Sequence, residues 1–308
     1  MKRKVNKVGP TTLSITLPAK WVKTNNIKKG DELNIDLKNN SLTIAPEQLT
    51  IEETIQENIP ATTEGHVKSI VNNIYRRGYD KAVLHFDNET TRDQIIIALH
   101  ETMGFEVIEQ KNNNITIKNL ATPSEEEFNN LMRRAFLITL TIAEDGMKDI
   151  ESGKIDINKY LQLKKTVEKL MNICCRTLNS STLRNLPISK LTYLIIHTAD
   201  KIAYDYYYIL RHSQNNKITD KEVLIYYKKV TLYFRKFYDA YYGKDTDKVE
   251  ELTREKDELL WKEGYDLIKN HKNAVVIHHL MNIVRRTYEC ASPFIGENLN
   301  VKTNSYTQ

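Results

Sequence analysis

Hydrophobic positions alternate from Thr12 to Leu17, with Leu13, Ile15 and Leu17 on one face and Thr12, Ser14 and Thr16 on the other, the period of a half-buried strand. Pro18 then suits a first helical turn, where its missing N–H has no intrahelical partner, and "AKWVKTNN" extends that helix until the asparagines stop it. Beyond a turn at Lys28-Lys29-Gly30-Asp31, Leu33, Ile35 and Leu37 alternate again, "KNNS" reverses the chain, and Leu42 and Ile44 return. The predicted order is strand, strand, helix, strand, strand. A unit of about fifty residues with one short helix buries too little apolar surface to be comfortable alone, so pairing with a second copy is the economical solution.

The next stretch, "EQLTIEETIQENIPATTE", is acidic and polar with one proline and reads as a linker or a loosely packed crossing segment. After it, Val67, Ile70, Val71 and Ile74 share a helical face ending at Gly78, and "KAVLHF" reads as a strand. Thr91 to Met103 reads as a helix closed by Gly104, and "FEVIE" and "ITIK" flank an Asn-rich turn. The expected layout over 60–120 is α-β-α-β-β. His100-Glu101 begins like the zinc-protease H-E-x-x-H pattern, but Gly104 stands where the second histidine must be, so the segment is read as a spacer or dimer contact.

From Pro123 the pattern becomes long amphipathic helices, near 125–150, 157–179, 188–212, 219–242, 246–270 and 272–290. Leu131, Ala135, Ile138 and Ile142 form one stripe, and Leu161, Val167, Leu170 and Cys174 another. Six helices over 124–292 make two sets of three, and 293–308 reads as a polar tail that frays. The fold class expected is therefore multidomain α+β.

Charge sharpens this division. The net formal charge is +5 over 308 residues, yet Lys2, Arg3, Lys4, Lys7, Lys20, Lys23, Lys28 and Lys29 all precede the first acid, Asp31. The rest of the chain is nearly balanced. Three cysteines, two of them adjacent at 174 and 175, do not form the spaced, even set of a disulfide scaffold. The most apolar run, "AFLITLTIA", falls well short of the roughly 20 residues of a membrane span, and the expectation is a cytoplasmic chain without membrane insertion.

Residues 1–48 resemble the swapped-hairpin DNA-binding domain of the AbrB/SpoVT/MazE class, through Arg3-Lys4-Val5, Val8-Gly9, Leu13 to Pro18, Trp21 and Ile27-Lys28-Lys29-Gly30-Asp31. The resemblance implies a small dimeric β-barrel of interleaved hairpins whose basic face meets DNA. By position that face comprises Lys2, Arg3, Lys4, Lys7, Lys20 and Lys23, with Thr11 and Thr12 as donors to phosphate oxygens. Where many members carry Gly-Arg, this chain has Gly9-Pro10, so one base-reading arginine is absent. A domain used only for dimerisation stays open as the alternative.

The helical half resembles the PhoU family of phosphate-uptake regulators, through "RRAFLITLTIAEDGMKDIESG", "LIIHTADKIAYDYYYIL" and "IHHLMNIVRRTYECA". The order of the three pieces is similar to that of archaeal members fused to an AbrB-like domain. The resemblance implies two adjacent three-helix bundles, each carrying a metal-binding Glu-x-x-x-Asp on its third helix. Both copies are degenerate here: Ile196 and Asp200 occupy the first, Met281 and Arg285 the second. No cofactor is expected. His197 beside Asp200 remains a single-ion candidate, and His271 and His278 share a helical face. Arg285 is expected to replace the second metal by pairing with Glu289 or Asp257. Glu144, Asp145, Asp149, Glu168 and Asp205 are read as isolated helix acids.

Tyr226, Tyr233, Phe237 and Tyr241 recur at helical spacing and are expected to pack, while Lys228, Lys229, Arg235 and Lys236 offer a second candidate nucleic-acid or partner surface. No P-loop, nucleophile elbow or dinucleotide fingerprint occurs, so the chain is not read as an enzyme. Two functions are expected: a DNA-binding regulator of phosphate uptake whose helical half meets a signalling partner, or an interaction protein acting on a phosphate transporter or kinase.

Overall fold

The computed structural model describes residues 2–38, 41–46, 52–121, 123–179, 188–270 and 273–299, and the chain divides into two units, 1–52 and 53–308. The first unit follows the predicted order: β1 (Asn6–Lys7), β2 (Leu13–Ser14), α1 (Ala19–Thr24), β3 (Leu33–Lys38) and β4 (Ser41–Pro46). β1 pairs antiparallel with β2 through a turn that contains Gly9 at φ +83°, a left-handed conformation glycine adopts without a Cβ penalty. Pro18 is the N-cap of α1 rather than a residue within it. Asp31 Oδ2 accepts the Lys28 N–H at 2.7 Å and closes the turn before β3, which pairs antiparallel with β4. No described residue of this unit is buried, and Val5, Val8, Leu13, Ile15, Ile35, Leu37 and Leu42 are all exposed.

The second unit opens with a strand inside the segment read as a linker. β5 (Thr54–Ile59) runs parallel to β6 (Lys81–Phe86), joined by α2 (Glu64–Arg76), and Ile59 is buried. α3 (Glu89–Leu99) leads to β7 (Phe105–Lys111) and β8 (Asn114–Asn119), giving sheet order β5-β6-β8-β7. The layout is thus β-α-β-α-β-β. α3 ends at Leu99, before the expected Met103, and Gly104 takes φ +78° ahead of β7. Val67, Val71, Ile74 and Tyr75 of α2 and Ile95, Ala98 and Leu99 of α3 cover one sheet face, with Ala82, Leu84, Phe86, Ile115 and Ile117 beneath them.

The helical half comprises α4 (Glu125–Ser152), α5 (Ile157–Asn179), α6 (Ile188–Ser213), α7 (Lys221–Gly243), α8 (Lys248–Asp257), α9 (Tyr265–Asn270) and α10 (Ala274–Asn298). Between α8 and α9 lies a π-helical turn, Glu258–Gly264. Ser124 and Glu127 form a reciprocal capping box that starts α4, and Gly153 at φ +70° ends it. α6 packs along α10, and α5 also packs against α2. Residues 293–298 are not a frayed tail. α10 runs through Pro293 to Asn298, and Phe294 is buried against Phe237 and Tyr241.

α5 belongs to both apolar cores: Cys174 and Leu178 face the other helices, whereas Ile173 joins the core beneath α2 and α3. Its polar side chains bind the same layer. Arg176 is buried and donates through Nη1 to the carbonyls of Tyr75 (3.1 Å) and Tyr79 (2.8 Å), at the C-terminal end of α2. Arg76 Nε donates to Asn172 Oδ1 at 2.7 Å, and Asn179 Nδ2 donates to the Arg76 carbonyl at 2.7 Å.

Candidate nucleic-acid interface

In the first unit the short helix and hairpins present their side chains rather than packing them. Lys2, Arg3, Lys4, Lys7, Lys20 and Lys23 are exposed, as are Thr11 and Thr12, and among the described residues none of the six cations forms an ion pair. α1 has no acid in its first turn, so nothing offsets Lys20 there. Pro10 leaves the β1–β2 turn without a side-chain donor at that position. The arrangement can neutralise phosphates through charge, which fixes a protein on a duplex without reading its sequence.

The basic residues of α7 are arranged differently. Lys228 pairs with Glu151 at 3.2 Å, Lys229 with Glu263 at 2.6 Å, Lys236 with Glu255 at 2.7 Å, and Arg235 with Glu144. Each cation of this second candidate surface thus has an acid from a neighbouring helical segment, so its positive charge is balanced within the chain. The tyrosines of that helix pack within the chain: Tyr226 donates to the Leu259 carbonyl, Tyr227 to that of Ala143 and Tyr233 to that of Leu252.

The degenerate metal-motif positions lie apart in character. Ile196 and Met281 are buried in the apolar core, and Asp200 is buried with Oδ2 on Lys201 Nζ at 2.8 Å. Asp200 Oδ1 is buried without a hydrogen bond, so His197 does not bond to it. Partial burial, with Lys201 and Arg76 nearby, lowers the His197 pKa. Arg285 is exposed and donates to Asn282 Oδ1 at 3.1 Å, so the expected pairing with Glu289 or Asp257 is overturned: its phase on α10 points away from the core. Asp257 instead meets Lys256 at 2.9 Å. His271 lies outside the described residues, and His278 shares a 3.1 Å hydrogen bond with Asn282. Among the described residues no three His, Cys, Asp or Glu side chains converge as a metal site would require.

Two polar clusters escaped the sequence reading. At the seam between α2, α5 and α6, Lys68 meets Glu101 at 2.6 Å and Glu168 at 3.3 Å, and Lys164 meets Glu168 at 3.5 Å while lying 3.9 Å from the Tyr204 ring centroid. Burial opposes the Glu168 charge, but Tyr204 and the two lysines outweigh it and hold the carboxyl below its usual range. His100-Glu101 therefore contributes an acid to an ion-pair seam. Between α6 and α10, Asp205 accepts from His279 Nδ1 at 2.8 Å and from Arg286 Nη1 at 2.6 Å. Spacing alone shows only the Lys164–Glu168 pair, four residues apart on α5, because the other contacts of both clusters join residues far apart in the chain.

The fold and the exposed cations of the first unit define a small hairpin-helix-hairpin module, carried on a chain whose larger unit is mostly helical. The family model of the antidote-toxin recognition protein MazE, a bacterial antitoxin, matches residues 8–51, so this module is MazE/AbrB-like. No curated protein and no solved structure gives a match to the chain. No helix among the described residues is long and apolar enough to cross a membrane.

Proposed function

We propose that the chain is a DNA-binding transcriptional regulator, not an enzyme, in which residues 1–48 dimerise by interleaving their hairpins and the helical half meets a signalling partner. The observation that carries this reading is the coincidence, in one unit, of unpaired cations and uncovered apolar side chains. Among the described residues Lys2, Arg3, Lys4, Lys7, Lys20 and Lys23 form no ion pair, and Leu13, Ile15, Ile35, Leu37 and Leu42 stay exposed. A second copy supplies the missing cover, and DNA the missing charge.

The phosphate-uptake role rests on the resemblance of the helical half to the PhoU family. It is supported by two successive sets of three helical stretches among the described residues, α4, α5 and α6, then α7, the unbroken stretch 248–270 and α10, with α6 packed along α10. The name of the matched MazE model favours a second reading, an antitoxin-like regulator whose partner is a toxin.

Salt-titrated binding to duplex DNA tests the first step. The parent protein should lose affinity steeply with salt, and replacing Arg3, Lys4 and Lys20 by alanine should lower the log–log slope by about 0.9 for each phosphate contact removed. Equal binding by the triple variant refutes the interface. Genome-wide mapping of bound sites then separates the partners: sites upstream of phosphate-transport genes support the regulator of phosphate uptake, and a single site beside a toxin gene supports the antitoxin-like reading.

A further inference from the structure

Where the sheet layer meets the helices of the second unit, the chain leaves a cavity of about 410 Å³. Met103 and Gly104, just ahead of β7, line one side, and Leu131 of α4 and Ile173 of α5 line the other. The first side is closely built: the Leu120 N–H donates to the Gly104 carbonyl at 2.7 Å, and a Cβ on Gly104 would lie 3.2 Å from the Ala121 carbonyl oxygen. Met103 and Leu131 are partly buried and pack against both apolar cores, so the cavity lies where the two cores meet.

Polar groups stand at its edge on one helix face. Asn130 and Arg134, one turn apart on α4, both line the cavity and are exposed. Among the described residues neither side chain forms a hydrogen bond or ion pair, whereas the adjacent Arg133 donates to Tyr238 Oη at 3.1 Å. The acid among the lining residues, Glu127, is engaged elsewhere, since its Oε2 accepts the Ser124 N–H at 2.7 Å in the capping box. It stands two turns before Arg134, about 10 Å along the helix axis. An anionic group therefore has one favoured end, beside Arg134 and Asn130, with apolar wall beyond it.

These features select among ligands. An inorganic anion gains nothing from the apolar walls, and a cation is repelled by the unpaired guanidinium. Ligand sites run from about 300 to 1,000 Å³, and this one lies at the small end, which suits a short hydrocarbon body. We propose that the cavity binds a medium-chain carboxylic acid, with its hydrocarbon between Met103, Leu131 and Ile173 and its carboxylate on Arg134 and Asn130. Arg134 supplies charge and a fork of N–H donors, Asn130 supplies an amide N–H, and a carboxylate has lone pairs for both. The occupant touches the sheet layer, α4 and α5 at once. It gives the second unit a small-molecule input that does not depend on DNA binding by the first.

Isothermal titration calorimetry of the full chain with sodium octanoate tests this. The expected result is saturable binding of one octanoate per chain. Arg134→Gln, at an exposed and unbonded position, should weaken it at least roughly threefold, as loss of a solvent-exposed ion pair does, and should leave the affinity for 1-octanol unchanged. Ala121→Trp, which sets a bulky ring on the cavity wall from an exposed position, should weaken octanoate and 1-octanol alike. Circular dichroism checks that each variant is folded, and if Ala121→Trp is not, Arg134→Gln decides. No saturable binding of octanoate, or an octanoate affinity that a folded variant leaves unchanged, overturns the proposal.

Discussion

Replacing Arg176 by methionine probes the joint between the sheet layer and the helices, because the substitution keeps most of the aliphatic volume and removes the charge. The guanidinium is buried, and burial lowers its pKa, with Tyr75 and Asp80 acting the other way. It donates to two carbonyls and lies 5.2 Å from the Tyr75 ring and 4.9 Å from that of Phe105. Each hydrogen bond to a charged group contributes roughly 1.5–3 kcal/mol. The two losses are unequal, since the Tyr75 carbonyl keeps the Gly78 N–H at 3.1 Å, whereas Tyr79 loses its donor. Relief of guanidinium desolvation offsets part of the cost, as does removal of an Nε that is buried without an acceptor. The net expectation is a loss of about 3 kcal/mol, near the lower edge for breaking a buried ionic contact. Urea unfolding followed by circular dichroism reads it as a lower midpoint at unchanged slope. A loss below about 1 kcal/mol would falsify the claim that this residue joins the layers.

The pH dependence should show the seam at Glu168: its folded pKa is depressed, so its contribution is present above the unfolded value and fades as pH falls from there through the folded value. Glu168→Gln should therefore flatten the acid limb of the stability profile below about pH 4.3, and an unchanged limb would count against the ion-pair seam. At the π-helical turn, a Cβ on Gly264 would lie 2.9 Å from Met281 Cγ and Tyr226 Oη, so Gly264→Ala should cost about 1–3 kcal/mol in thermal unfolding. Tyr226→Phe, which removes the donor to the Leu259 carbonyl, should cost about 1 kcal/mol, and neutral behaviour of both variants would contradict the packing described there. A fragment of residues 1–52 should melt at a temperature that rises with its concentration, and a concentration-independent melt of a monomer would refute interleaving.

What the sequence displayed and what it concealed follow from the range of the interactions. The long helices were legible because each buries one stripe at a period of 3.6, a property of local order alone. β5 was not, because only Ile55 and Ile59 of "TIQENI" mark its inner face and its parallel partner β6 lies beyond α2. The π-helical turn left no trace, and the Tyr226 hydroxyl that donates to its Leu259 carbonyl comes from another helix. The motif on α10 misled by one residue: Arg285 holds the position the resemblance selects, yet one step along a helix turns a side chain by about 100°, and Arg286 is the cation that reaches Asp205. The same geometry explains why four basic residues of α7 resembled a binding surface. Charge was visible in the sequence, but their acids stand on α4 and in the 255–263 segment, and only the fold brings them together. The N-terminal cations are the contrasting case, for among the described residues Lys2, Arg3, Lys4, Lys7, Lys20 and Lys23 form no ion pair and stay exposed. A binding surface is thus recognised by the charges that folding leaves unpaired, a criterion that retains Lys2 to Lys23 and rejects Lys228 to Lys236.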